Sequence, residues 1–206
     1  MKPPAETVID LYSRRARDFD DDRDKSLFER PWLDAFLGHV PEGGEVLDIG
    51  CGSGEPIARH LIARGRRVTG LDASPALIDL CRRRFPDHEW LVGDLRSLDL
   101  SQVFDGVVAW HSLIHIEPAV QPRVLDLFAR HLRPGGALLF TSGSERGETI
   151  GRWRDEPLYH GSLSTTEYRT ALELAGFDLL DHVETDPACG GATVWLARRS
   201  GGKVAG

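Results

Sequence analysis

Sulfur is scarce in this sequence: three cysteines, an odd number, none at metal-ligand spacing. That excludes a disulfide-stapled secreted scaffold and a cysteine-built metal centre, and reads as reduced thiols in a cytoplasmic protein. Long apolar runs are missing as well. None approaches the ~20 residues of a membrane helix, and the opening MKPPAETVID lacks the apolar core of a signal peptide. Positive charge is in deficit, with a net charge of −7, so the surface repels phosphate backbones and a nucleic-acid partner is not expected. The densest basic runs, Arg14-Arg15-Ala16-Arg17 and Arg82-Arg83-Arg84, sit on predicted helices among carboxylates and read as solvated helix faces.

What is present is an ordinary globular balance over 206 residues, 41% hydrophobic and 28% charged. One domain is expected over 1–199, made of a helical cap (1–40) and a core (45–199), with a disordered tail at 200–206. Ala5, Val8, Tyr12, Ala16 and Phe19 recur at helical spacing, which predicts a helix over 5–19. The acidic DFDDDRDK separates it from a second helical pattern around Trp32, Phe36 and Leu37. From Val46 onward short apolar strands alternate with amphipathic helices. Strands are predicted at 46–49, 67–71, 90–92, 106–110 and 137–141, with helices starting near Glu55, at Pro75 behind a Ser74 cap, and over 118–132. Such alternation implies parallel strands joined by right-handed crossovers, a doubly wound α/β three-layer sandwich. After the fifth strand, SERGETIGRWRDEPLYHGSL reads as a long polar loop. A capping box, Ser164 with Glu167, opens a last helix that closes at Gly176. Strands at 177–183 and 193–197 follow with no helix between them, so they pair as an antiparallel hairpin.

The stretch VLDIGCGSGEP runs from an apolar strand into alternating glycines, Gly50, Gly52 and Gly54, and then into a helix. It places a glycine loop at the carboxyl edge of the sheet, where open α/β folds bind ligands. Asp72 ends the next strand, where an acid accepts both hydroxyls of a ribose. A dinucleotide fingerprint wants glycine at its sixth position; here that position is Glu55, whose carboxylate would face a pyrophosphate. The pattern therefore points to a nucleoside ligand without phosphates.

VLDIGCGSGEP resembles the first motif of class I S-adenosylmethionine-dependent methyltransferases, and the resemblance continues in order through residues 45–198. VTGLDASPALIDLCRRRFP is similar to the second-strand motif, WLVGDLRSLDL to the third, FDGVVAWHSLIHI to the fourth strand and its loop, and LRPGGALLFTS and AGFDLL…TVWLARR to the remaining strands. The resemblance implies a mostly parallel seven-stranded sheet with an antiparallel last strand, S-adenosyl-L-methionine as cofactor, and methyl transfer that releases S-adenosylhomocysteine. By position, Asp48 and Gly50 would hold the methionine end of that cofactor, and Gly52 and Gly54 would shape the loop. Asp72 would meet the ribose, Ala73 beside it would also touch the cofactor, Asp94 and Leu95 would flank the adenine, Trp110 would approach from the fourth strand, and Tyr12 would close over the cofactor or pack in the core. Cys51 reads as a small packed residue rather than a nucleophile.

The acceptor is less defined. His111 and His115, after the fourth strand, are the candidate general bases; Trp153, Tyr159 and His160 would wall an acceptor pocket or pin their loop to the sheet. No amino-group signature for nucleic-acid bases follows the fourth strand, where WHSL stands. No acid–histidine cluster marks a metal site, and the cysteines are too few for arsenic chemistry. A small molecule methylated on O, N or S is expected, by a monomer or homodimer. Two other classes stay open: a nicotinamide-dependent oxidoreductase, opposed by Glu55 and the terminal hairpin, and a non-catalytic S-adenosylmethionine-binding module.

Overall fold

The computed structural model describes residues 4–201. Seven strands form one sheet: β1 (Glu45–Ile49), β2 (Arg67–Asp72), β3 (Glu89–Val92), β4 (Phe104–Ala109), β5 (Leu132–Ser142), β8 (Phe177–Asp186) and β9 (Ala192–Arg199). Two further strands, β6 (Gly147–Trp153) and β7 (Glu156–Ser162), pair only with each other. The sheet order is β3-β2-β1-β4-β5-β9-β8. The first five strands are parallel, and β9 runs antiparallel to both β5 and β8, as the missing helix between the last two strands requires.

Alternation along the strands sends side chains to two cores. On one face Val46, Val68 and Val108 pack with Trp32 and Phe36 of α3 (Arg30–Leu37), Leu61 of α4 (Ile57–Ala63) and Ile78 of α5 (Pro75–Arg84). On the other, Leu47, Ile49 and Val107 pack with Phe128 of α6 (Gln121–Arg130) and Tyr168 of α7 (Thr165–Leu174). The Ser74 cap accepts from the Leu77 N–H, and the Ser164–Glu167 capping box is fully formed.

Three expectations need correction. The helix predicted over 5–19 is two, α1 (Pro4–Arg14) and α2 (Ala16–Asp22), because Arg15 leaves helical geometry at φ −113°, ψ 24°. The bend brings the Tyr12 and Phe19 rings edge to face at 5.1 Å. The acidic stretch is not a spacer. Buried Asp20 takes two hydrogen bonds from Arg84, which hold its carboxyl down at about 2, and Asp22 takes two from Arg154. The polar loop after β5 is the β6–β7 hairpin, turned at Arg154 with a positive φ of 52°. Its polar pattern hides the strands because the hairpin buries one face against α1, through Leu158 and Tyr159 with Val8 and Leu11, rather than against the sheet. Of the expected tail, Ser200 still donates to the Gly176 carbonyl at 2.8 Å, and 202–206 lie outside the described residues.

Candidate active site

The chain leaves β1 toward β2 on one side and returns to β4 on the other, so the carboxyl ends of β1 and β4 bound a crevice. Over it lies a cavity of about 430 Å³, roofed by α1, α2 and β7. Tyr12, Asp48, Gly50, Gly52, Asp72, Ala73, Leu95, Trp110, His111, His115 and His160 all line it. Of the other expected site residues, Gly54 sits behind the loop, where a Cβ would lie 2.9 Å from the Phe85 ring. Asp94 caps the turn after β3 and binds Arg96 through both its backbone and guanidinium N–H groups. Trp153 stands one layer back, 5.8 Å from Tyr12 and donating to Asp22 at 3.2 Å. Buried Tyr159 donates its hydroxyl to Glu148 at 2.9 Å, away from the cavity lining.

The glycines answer first to the protein's own packing. A Cβ on Gly50 would stand 2.4 Å from that of Ser112, and one on Gly52 2.9 Å from the Phe19 ring. Both residues have positive φ, 69° and 57°, which side chains disfavour. The loop amides are also committed: Gly50 and Cys51 donate to the Leu71 carbonyl at 2.7 and 3.2 Å, and Gly52 to Asp72 at 3.0 Å. A loop whose N–H groups are spent on its neighbour strand offers little to a pyrophosphate. Glu55, also on the cavity wall, is held by Arg59 at 2.8 Å.

The floor carries two carboxylates. Asp72 accepts from Gly52 and from the Ser74 N–H at 2.8 Å, yet burial lifts its carboxyl to about 6. Asp48 is lifted to about 7 by burial and by the charge of Asp72, with Arg23 opposing. Its Oδ2, together with Trp110 Nε1 and Ser112 Oγ, is a buried polar atom with no protein partner. Three unpaired polar atoms around one cavity call for a polar ligand, and paired acids without free cations call for a positively charged one. An adenosyl sulfonium bearing an ammonium group fits this donor and acceptor set. Cys51 is inert here, its buried thiol pushed well up.

The opposite wall is histidine. His111 follows Trp110 with a positive φ of 52°, and its N–H donates to Thr141 Oγ1 at 2.8 Å. His115 Nδ1–H donates to the Tyr159 carbonyl at 2.9 Å, and its Nε2 meets the Tyr12 hydroxyl at 3.3 Å. His160 stacks on His115 at 5.3 Å. Burial presses His111 and His115 to about 4, Arg23 adding to the effect at His111, so both rings are neutral at pH 7. Fully buried Gln121 holds this wall together by donating to the carbonyls of Leu113, Ile116 and Gly161.

Sequence spacing assigns no role to Arg23 or Gln121, and it puts Phe19 on an apolar helix face without placing it at the cavity. Arg23 lies in the acidic stretch, lines the cavity, and pairs with buried Glu29; its only sequence signal is a cation among acids.

Comparison with known proteins agrees with this geometry. The profile of a methyltransferase domain family matches residues 46–136. A probable S-adenosylmethionine-dependent methyltransferase of Mycolicibacterium smegmatis is 35% identical over 82% of this chain and 64% of its own. The malonyl-[acyl-carrier protein] O-methyltransferase of Serratia marcescens is 31% identical over 72% of this chain and 60% of its own. The chain thus spans somewhat under two thirds of the length of these curated relatives. In structure it is similar to the Burkholderia thailandensis 1,6-didemethyltoxoflavin-N1-methyltransferase, solved with S-adenosylhomocysteine, at a TM-score of 0.72 and 23% identity, covering 97% of this chain and 92% of that one. The motif order, the sheet and the matching profile agree: residues 46–136 match a methyltransferase domain, and the chain has the fold of the S-adenosylmethionine-dependent methyltransferases to which it is similar.

Proposed function

We propose that the protein transfers a methyl group from S-adenosyl-L-methionine to a small-molecule acceptor. The observation that carries this reading is the acidic floor, Asp48 and Asp72, facing unpaired buried groups on Trp110 and Ser112 in one cavity. S-adenosylmethionine, when bound, supplies a methyl group activated by its sulfonium. Asp72 keeps lone pairs for the ribose hydroxyls, since each oxygen accepts only one backbone N–H. Asp48 would take the ammonium end. Leu95 and Ala73 flank the adenine side, while Asp94 supports that turn through Arg96 rather than by contact. Trp110, Tyr12 and Phe19 exclude water from the reacting centre, where alignment supplies much of the acceleration. His111, His115 and His160 form the acceptor wall, with Trp153 and Tyr159 behind it as supports. The reading extends to a metal-free site, acceptors other than nucleic acid or membrane, a cytoplasmic setting, and a monomer or homodimer.

Titration calorimetry tests it. S-adenosylmethionine and S-adenosylhomocysteine should bind and NAD should not bind comparably. Asp72→Ala removes charge-assisted hydrogen bonds worth about 1.5–3 kcal/mol each, so affinity should fall at least about tenfold, with a melting curve checking the glycine loop that Asp72 also holds. Comparable NAD binding, or unchanged affinity in a folded Asp72→Ala variant, would overturn the assignment.

A further inference from the structure

We infer that Tyr12 and His115 act as one proton-accepting pair, and that they suit an uncharged hydroxyl acceptor, methylated on oxygen. The inference rests on the methyltransferase reading above.

The pair has a defined proton order. The Tyr159 carbonyl can only accept, so the hydrogen bond at 2.9 Å fixes the His115 proton on Nδ1. In the neutral ring Nε2 is then an acceptor, and the Tyr12 hydroxyl at 3.3 Å is its donor. The phenol oxygen keeps its lone pairs, and Tyr12 lines the cavity. An incoming hydroxyl finds an oxygen that can take its proton while passing another to Nε2. His111 is arranged differently. Thr141 Oγ1 stands 3.4 Å from its Nδ1 as well as accepting its backbone N–H. When that hydroxyl donates to Nδ1, the ring carries its proton on Nε2 and presents a donor, which orients an acceptor's lone pair rather than removing its proton.

The step balances. The acceptor oxygen bonds to the methyl carbon as the carbon–sulfur bond breaks, leaving its electron pair on sulfur. The hydroxyl proton moves to Tyr12 and the Tyr12 proton to His115, so the positive charge passes from sulfonium to imidazolium. The titratable groups facing the pair are His160 from β7, His111 after β4, and Asp72 from β2, whose charge bears on Tyr12.

Acceptor chemistry follows from what this base can do. With burial holding His115 near 4, the pair stays unprotonated at neutral pH yet is too weak to deprotonate an ammonium titrating near pH ~8–10. It is strong enough for an oxygen that becomes acidic only as the methyl group arrives. A thiol reaches its thiolate near pH ~8.5 and needs less help. A carboxylate or phosphate acceptor would want a free cation. The wall offers Val8, Ile9 and Leu158, and Arg23, the one arginine lining the cavity among the described residues, is already paired with Glu29.

Two measurements test this. In ¹⁵N-histidine-labelled protein without ligand, His115 should read as the neutral Nδ1–H tautomer down to about pH 5, with its Nε2 resonance moving in Tyr12→Phe. An Nε2–H tautomer, or protonation near pH ~6.5, would overturn the pairing. In the second, neutral alcohols and phenols are assayed beside amines, thiols and carboxylates of the same skeletons. Hydroxyl members should be methylated, and Tyr12→Phe should lower kcat about 10²-fold or more while calorimetric affinity for S-adenosylmethionine is kept. Turnover confined to the other classes, no turnover of any hydroxyl member, or a wild-type kcat in Tyr12→Phe would refute the inference and leave cofactor binding standing. Failure of the wild type to bind S-adenosylmethionine would instead remove the methyltransferase reading itself.

Discussion

Asp48 and Asp72 end neighbouring parallel strands, and both pay for their position in the absence of a cationic partner. A carboxyl that titrates at about 7 or about 6 in the fold, against ~3.9 unfolded, binds more protons folded than unfolded between those values. Stability from these two groups is therefore present at low pH and lost as pH rises through about 6 to 7. The histidines run the other way. Pressed to about 4 from ~6.5, His111 and His115 contribute stability above pH ~6.5 that is lost as pH falls toward 4. Asp48→Asn should accordingly raise the ligand-free melting temperature, most clearly at pH 8 and hardly at all at pH 4, while weakening S-adenosylmethionine binding. Calorimetry across pH should show wild-type affinity falling below about pH 6–7 as the carboxyls protonate, and a flatter profile in the variant. A lower melting temperature at pH 8 would show that Asp48 is structurally supported after all.

The elements that close the cavity are held by charge as well as by the small apolar cluster of Val8, Leu11, Leu158 and Tyr159. Glu156, near the turn of the β6–β7 hairpin, takes both guanidinium nitrogens of Arg14 and one contact from Arg15. Arg154 reaches back to Asp22 and Asp18. The hairpin is thus clamped to α1 and α2 over the acceptor wall. Exposed pairs of this kind contribute little to global stability and are screened by salt. Arg154→Ala should leave the melting temperature nearly unchanged, speed hydrogen exchange across 147–162, and raise acceptor KM more than cofactor Kd. Added salt should reproduce the effect in the wild type. Equal loss of both affinities together with a lower melting temperature would make the hairpin a structural prop and not a gate. Trp153→Ala probes the same clamp from its apolar side, through the ring contacts with Tyr12 and Phe19.

Across the whole molecule, the sheet and the site share packing. Gly70, in the middle of β2, leaves room for the Trp90 ring: a Cβ there would stand 2.3 Å from it and 3.0 Å from Cys51 Sγ. Trp90 is buried and donates to the Phe85 carbonyl at 2.9 Å, so it cannot swing away without losing that bond. Overpacking costs typically 1–3 kcal/mol, roughly, and a domain of this size loses about 2–4 °C per kcal/mol. Gly70→Ala should lower the melting temperature on that scale and loosen the glycine loop through Cys51, weakening cofactor binding too. A stable variant with reduced affinity, or an unstable one with full affinity, would separate the two and refute the coupling.

Much of this was decided by local sequence. Strand–helix alternation specifies parallel pairing because a crossover helix returns the chain in the same direction, and two strands without one must turn back. The caps at Ser74 and Ser164 are local hydrogen bonds, and a glycine loop followed by Asp72 marks the carboxyl edge of the sheet as where a nucleoside is expected. Only the tertiary structure decided what long-range contacts decide. It broke the first helix at Arg15, where no proline or glycine marks a stop, so that Tyr12 and Phe19 meet. It made a hairpin of a polar segment whose buried face, Leu158 and Tyr159, packs on Val8 and Leu11 of a helix far earlier in the chain. It drew Arg23 out of an acidic run and onto the cavity wall. It also set the proton order of Tyr12 and His115, 103 residues apart, because a tautomer depends on which carbonyl lies beside the ring, and sequence spacing carries no record of that.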